Sequence, residues 1–123
     1  MKKATLPNQP EWPDFLDALN AAPDHHKLLF ENDRVRVLDT HIAVGDRTPV
    51  HTHQWPGVLH IFSWSNFAPY NDKGNIVVDS RKIDAFKTPP AAVWSDPLTP
   101  HSLENAGEID LHVISVELKA PAP

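Results

Sequence analysis

The chain has 123 residues, enough for one domain with a single core, and it carries a formal net charge of −5 with no cysteine. That acidic balance, with no basic cluster, excludes nucleic acid and anionic membrane surfaces as partners. The absence of cysteine removes disulfides, thiolate ligands and a cysteine nucleophile, while 13 scattered prolines favour short segments joined by rigid turns.

Residues 1–10 are basic but lack the apolar run of a signal peptide, and no segment is apolar for long enough to span a bilayer. The cytoplasm is the expected compartment. Trp12 to Ala21 reads as one short helix: Pro13 suits its first turn, and Asp14 and Asp17 sit near the positive end of its dipole. Phe15, Leu16 and Leu19 share a face, and Pro23 ends the helix. His25 and His26 follow, with the surface as their expected place.

Strands are expected at 26–30 and 35–42 around an Asn32-Asp33 turn. Gly45-Asp46 opens a loop that leads to His51-Thr52-His53, and 58–64 is the next strand. Residues 70–75 form a hairpin turn with Gly74 free to take positive φ, followed by a strand at 76–78. Segments 91–94, 101–103 and 109–118 complete at least seven strands, with Gly107 marking the final turn. One leading helix and many short strands predict an all-β sandwich or barrel. The expected boundaries are an N-terminal extension over 1–24, a barrel over 25–119 and a flexible tail over 120–123.

Residues two apart on a strand point the same way, about 6–7 Å apart, so His51 and His53 can turn onto one ion. Counting outward from His53, one face holds His51, Trp55, Gly57, Leu59, Ile61 and Ser63, and the other holds Gln54, Val58, His60, Phe62 and Trp64. Simple counting therefore puts His60 outside. A bulge at Pro56-Gly57 would reverse the parity and bring His60 inside as a fourth ligand. Trp55 is the best candidate to wall the pocket, and Gly57 leaves space in it. Asn105, just before Gly107, reads as a turn residue, and Glu104 points outward by its odd spacing from His101. Arg36, Arg47 and Arg81 are weak candidates to orient a carboxylate, and the directions of His41 and His112 are left open by strands apolar on both faces.

Gly45-x5-His51-x-His53 resembles the first half of the first motif of the cupin family, and His101-x3-Asn105 resembles the end of its second. The resemblance runs from about Leu28 to Leu118, with Trp94 to Pro100 as a proline-bearing approach to His101 that lacks the usual glycine. It implies a double-stranded β-helix, a jelly-roll barrel, with His51, His53 and His101 ligating a divalent metal inside it, and a homodimer. The apolar character of Val58, Phe62 and Trp64 on the face away from the histidines agrees with a dimer. Common cupins add a glutamate shortly after the histidine pair, and that position falls at or near Gly57 here. The resemblance therefore implies a three-histidine site with open coordination positions, similar to the three-histidine oxygenases of the superfamily. Imidazole ligands suit Fe, Ni, Mn, Zn or Cu alike.

The favoured function is a metal-dependent enzyme, oxygenase-like or isomerase-like, acting on a small polar metabolite through these histidines. No catalytic base stands out in the sequence. A non-catalytic cupin that holds a metal or metabolite for sensing is the alternative. A metal-free, epimerase-like cupin ranks third, since its His-Asp pair with a basic residue is not visible among the motifs.

Overall fold

The computed structural model describes residues 12–76 and 90–119. Its strands are β1 (His26–Glu31), β2 (Val35–Ile42), β3 (His51–His53), β4 (Gly57–Ser63), β5 (Phe67–Asn71), β6 (Ala92–Ser95), β7 (Leu98–Asn105) and β8 (Leu111–Leu118). They form a five-stranded sheet in the order β1-β2-β8-β4-β6 and a three-stranded sheet in the order β3-β7-β5, with every named pair antiparallel. The expected strand at 76–78 lies mostly outside the described residues; Ile76 makes a single bridge to Tyr70. Strand β5 was not anticipated, because Pro69 interrupts its pattern. Pro69 is tolerated within this short strand, paired with Leu103.

The leading helix is shorter than the pattern suggests. A 3-10 turn over Asp14–Leu16 is separated from α1 (Ala18–Ala21) by Asp17, whose φ of −56° and ψ of 143° break the helix. Asp17 caps α1 by accepting from Leu19 N at 3.2 Å, and it also bridges to Thr52 of β3. A tertiary role for Asp17 thus overrides local helical periodicity. Among the described residues no helix is long and apolar enough to cross a membrane.

Alternation in β2 and β8 divides inside from outside. Arg36, Leu38, Thr40 and Ile42 are buried on β2, as are Leu111, Val113, Ser115 and Glu117 on β8. Ile42, Leu111 and Val113 form a core cluster against which Ile61, Phe67 and Leu103 pack. Asn105 is 1% exposed and ties the loops at this end. Its Nδ2 donates to the carbonyls of Ile42 and Ile109 at 2.9 Å, and its Oδ1 accepts from Ser65 Oγ at 2.7 Å and Gly107 N at 3.0 Å. It is thus a turn residue with a structural reach well beyond its own turn. Gly74 takes φ 83° in the β5 hairpin turn.

Strand β4 pairs with β8 without interruption from Gly57↔Glu117 to Ile61↔Val113, and its irregularity falls between Ile61 and Ser63. No bulge arises at Pro56-Gly57, so the parity counted from His53 carries through. Val58, His60 and Phe62 are exposed, while Leu59 and Ile61 face in. Trp64 follows the irregularity and lines the interior, not the outer face expected for it. Gly57 does not serve mainly to leave space. A Cβ there would strike the Val116 carbonyl oxygen, so the glycine permits close approach of β4 to β8.

Candidate metal centre

Four histidines converge in the space between the sheets. His51 and His53 come from β3, His101 from β7 directly opposite His51, and His26 from the first position of β1. The His51 ring centroid lies 4.4 Å from that of His101, 4.7 Å from His26 and 5.2 Å from His53; His53 to His101 is 6.1 Å. One ring nitrogen from each of His26, His51 and His53 lies within 4.8 Å of the other two.

The structure therefore brings together His51, His53 and His101, the three residues singled out in the sequence, and adds His26. His26 is 5% exposed rather than on the surface, because it pairs with Thr40 and shares the inward parity of β2. His60 is not a fourth member. It sits on the outer face with its ring 4.8 Å from Phe62, since the bulge that would turn it inward is absent.

Each of the four rings is held by its Nδ1. His26 Nδ1–H donates to the Ala22 carbonyl at 3.1 Å, His51 to that of Pro49 at 2.8 Å, and His101 to that of Thr99 at 2.6 Å. His53 Nδ1–H donates to Glu117 Oε2 at 2.7 Å. Fixing the proton on Nδ1 leaves Nε2 as the lone-pair nitrogen, and a second hydrogen-bonded partner on Nδ1 is what orients metal-binding imidazoles.

Electrostatics favour the same state. Burial lowers His26 to about 4, aided by the charge of His53, and burial with the charges of the neighbouring histidines lowers His51 to about 2. His101 is lowered to about 4, again mainly by burial. These three rings are neutral at physiological pH and offer their lone pairs. Imidazoles held in fixed orientations suit a borderline transition-metal cation and not a hard cation such as calcium, which requires oxygen.

Behind His53 lies a buried ion-pair chain that the sequence reading missed. Glu117 Oε1 accepts from Arg36 Nε at 2.7 Å, and the Arg36 guanidinium donates to both oxygens of Asp17 at 2.8 and 2.9 Å. Burial alone would raise the Glu117 carboxyl, but His53 and Arg36 outweigh it and hold it below the ordinary carboxylate range. Burial would likewise depress Arg36, yet Asp17 and Glu117 keep it above its ordinary value. Arg36 is thus structural and does not face a ligand. Arg47 lies over the Tyr70 ring at 3.7 Å, and Arg81 falls outside the described residues. His41 and His112 are paired with Asp110 and Asp39 away from the cavity.

The centre opens onto a cavity of about 400 Å³. Trp55 and Gly57 line it, together with apolar side chains that include Ile42, Leu59, Trp64, Phe67 and Val113. No lysine or arginine and no carboxylate other than Glu117 appears among the described residues of the wall.

No family model matches the sequence, nor does any curated protein. Solved structures do. The chain is similar to a cupin domain from Bordetella pertussis Tohama I, with TM-score 0.60 and 17% identity over 77% of this chain and 92% of that one. It is similar to an RmlC-like cupin family protein with a double-stranded β-helix fold from Methanocaldococcus jannaschii, with TM-score 0.54 and 12% identity over 76% and 78% of the two chains. A third likeness is to the polyketide cyclase RemF from Streptomyces resistomycificus, with TM-score 0.50 and 16% identity over 84% of this chain and 70% of that one. At such identities the likeness shows the fold.

Proposed function

For this small domain with the cupin fold, we propose a metal-dependent activity centred on His26, His51, His53 and His101. The observation that carries it is that all four rings have Nδ1 engaged by a carbonyl or carboxylate, while one ring nitrogen from each of His26, His51 and His53 lies within 4.8 Å of the other two. A bound transition metal would act as a Lewis acid toward an oxygen atom of the ligand. The chain's own residues do the rest. Glu117 keeps the His53 proton on Nδ1, burial keeps the other rings neutral, and the apolar wall excludes water.

Among its described residues that wall has no lysine or arginine to hold an acid group, so the cavity suits a ligand with an apolar body and an oxygen function better than the small polar metabolite expected from the sequence. Metal analysis of purified, reconstituted protein tests the site. One equivalent in the wild type and in His60→Ala, with loss in His26→Ala, His51→Ala and His101→Ala, supports it. Metal-free wild type after reconstitution refutes it.

One observation favours a second reading. His53, Glu117 and Arg36 form a histidine–carboxylate pair with a basic residue behind it, with glutamate where the epimerase-like constellation has aspartate. Isomerase activity that survives removal of all metal would select this reading. We also propose that a second copy covers the outer face of the five-stranded sheet, where Phe30, Val58, Phe62, Trp94 and Leu118 stand exposed. Light scattering should then give a dimer for the wild type and a monomer for Phe62→Glu; a monomeric wild type at high concentration refutes it.

A further inference from the structure

Ser115 is the cavity residue whose chemistry is unaccounted for. It is 4% exposed, faces inward on β8 between Val113 and Glu117, and lines the cavity. Its Oγ has no hydrogen-bond partner among the described residues. Two other hydroxyls of the wall are engaged: Thr48 Oγ1 accepts from Leu103 N at 2.9 Å, and Ser95 Oγ donates to the Asp96 carbonyl at 3.0 Å.

A buried hydroxyl with no partner costs desolvation energy that an alanine at the same position would avoid. The cross-strand neighbours of Ser115 are Leu38 and Leu59, which can offer no side-chain hydrogen bond. Among the described residues nothing else satisfies the hydroxyl, which leaves the content of the cavity. Ser115 and Glu117 are two apart on one face of a strand, about 6–7 Å along it. Glu117 in turn holds His53 at 2.7 Å, so the hydroxyl is set off from the carboxylate that anchors the histidine group by that spacing along the same wall.

We propose that Ser115 selects and orients the ligand, by hydrogen-bonding an oxygen at the far end of a flat, mainly apolar molecule whose other oxygen faces the four histidines. Trp64 and Phe67 supply the aromatic wall for such a skeleton. The inference rests on the metal-dependent reading above for the near end of the ligand, and on Ser115 alone for the far end.

The test uses zinc-loaded protein and the quenching of tryptophan fluorescence, since Trp55 and Trp64 line the cavity. The probes are 2-naphthoate and its 5-, 6- and 7-hydroxy derivatives, titrated into the wild type, Ser115→Ala and Ser95→Ala. At least one hydroxy isomer should bind the wild type and Ser95→Ala about tenfold more tightly than 2-naphthoate, the worth of one buried neutral hydrogen bond. In Ser115→Ala that preference should vanish while 2-naphthoate binds as before. A wild type with no preference for any hydroxy isomer, or a preference that survives Ser115→Ala, overturns the proposal. Zinc content of the same samples keeps the two readings apart. A wild type that takes up no zinc refutes the metal reading, and the probe preference on that zinc-free protein still decides the role of Ser115.

Discussion

Acidifying the metal-free protein from pH 7 to pH 5 should unfold it, and the size of the effect follows from the buried rings. In the folded chain His26, His51 and His101 are lowered from 6.5 to about 4, about 2 and about 4, with burial the main cause in each case. The unfolded chain takes up protons below about 6.5, whereas the folded chain refuses them until much lower pH. Their neutral state is therefore fully compatible with folding above the unfolded value, and stability is lost as pH falls from there toward the folded values. At pH 5 each ring costs about 2 kcal/mol and the three together about 6 kcal/mol, comparable to the whole stability of a small domain at about 5–15 kcal/mol. Urea midpoints followed by tryptophan fluorescence at pH 7, 6 and 5 measure the loss directly. His51→Phe should remove roughly a third of the slope, since it removes one of three rings. A midpoint that stays flat from pH 7 to 5 would refute the picture of a buried, neutral imidazole cluster.

Three further outcomes are expected. Glu117→Gln should keep the fold but weaken metal affinity about 10- to 100-fold in chelator competition, because the carboxylate no longer fixes His53. Arg36→Met leaves Asp17 and Glu117 buried without their cation and should cost about 3–5 kcal/mol by urea denaturation. Asn105→Ala removes four hydrogen bonds from a fully buried position and should cost about 2–4 kcal/mol, with no change in the zinc stoichiometry of whatever remains folded.

The all-β architecture was legible in the strand and turn pattern, and the shared direction of His51 and His53 in strand parity, whereas His101 entered only through the resemblance to the cupin motifs. His60 could be placed outside by counting alone, and the uninterrupted β4–β8 register bears that out. His26 was hidden because Leu28, Leu29 and Phe30 behind it are all exposed, so β1 shows no inside-outside alternation to follow. Glu117 was hidden for a related reason: Val116 and Leu118 on either side are apolar, and a carboxylate between them reads as the solvent side. The usable signal was charge complementarity across strands, for Arg36 and Glu117 are direct partners on β2 and β8. A buried charge becomes legible only with its counter-ion, and sequence order places these two 81 residues apart.

The position of β8 sets a timetable for the protein. It is the last described strand in the chain, yet it lies in the middle of the five-stranded sheet, between β2 and β4. On a ribosome the β1–β2 hairpin can form early, but β4 has no place beside it until residues 111–118 have emerged. Glu117 arrives with them, and only then is His53 locked in orientation. The proposed metal centre thus depends on the arrival of β8, and such dependence on distant pairing predicts slow folding with a long-lived, incomplete sheet exposed to aggregation.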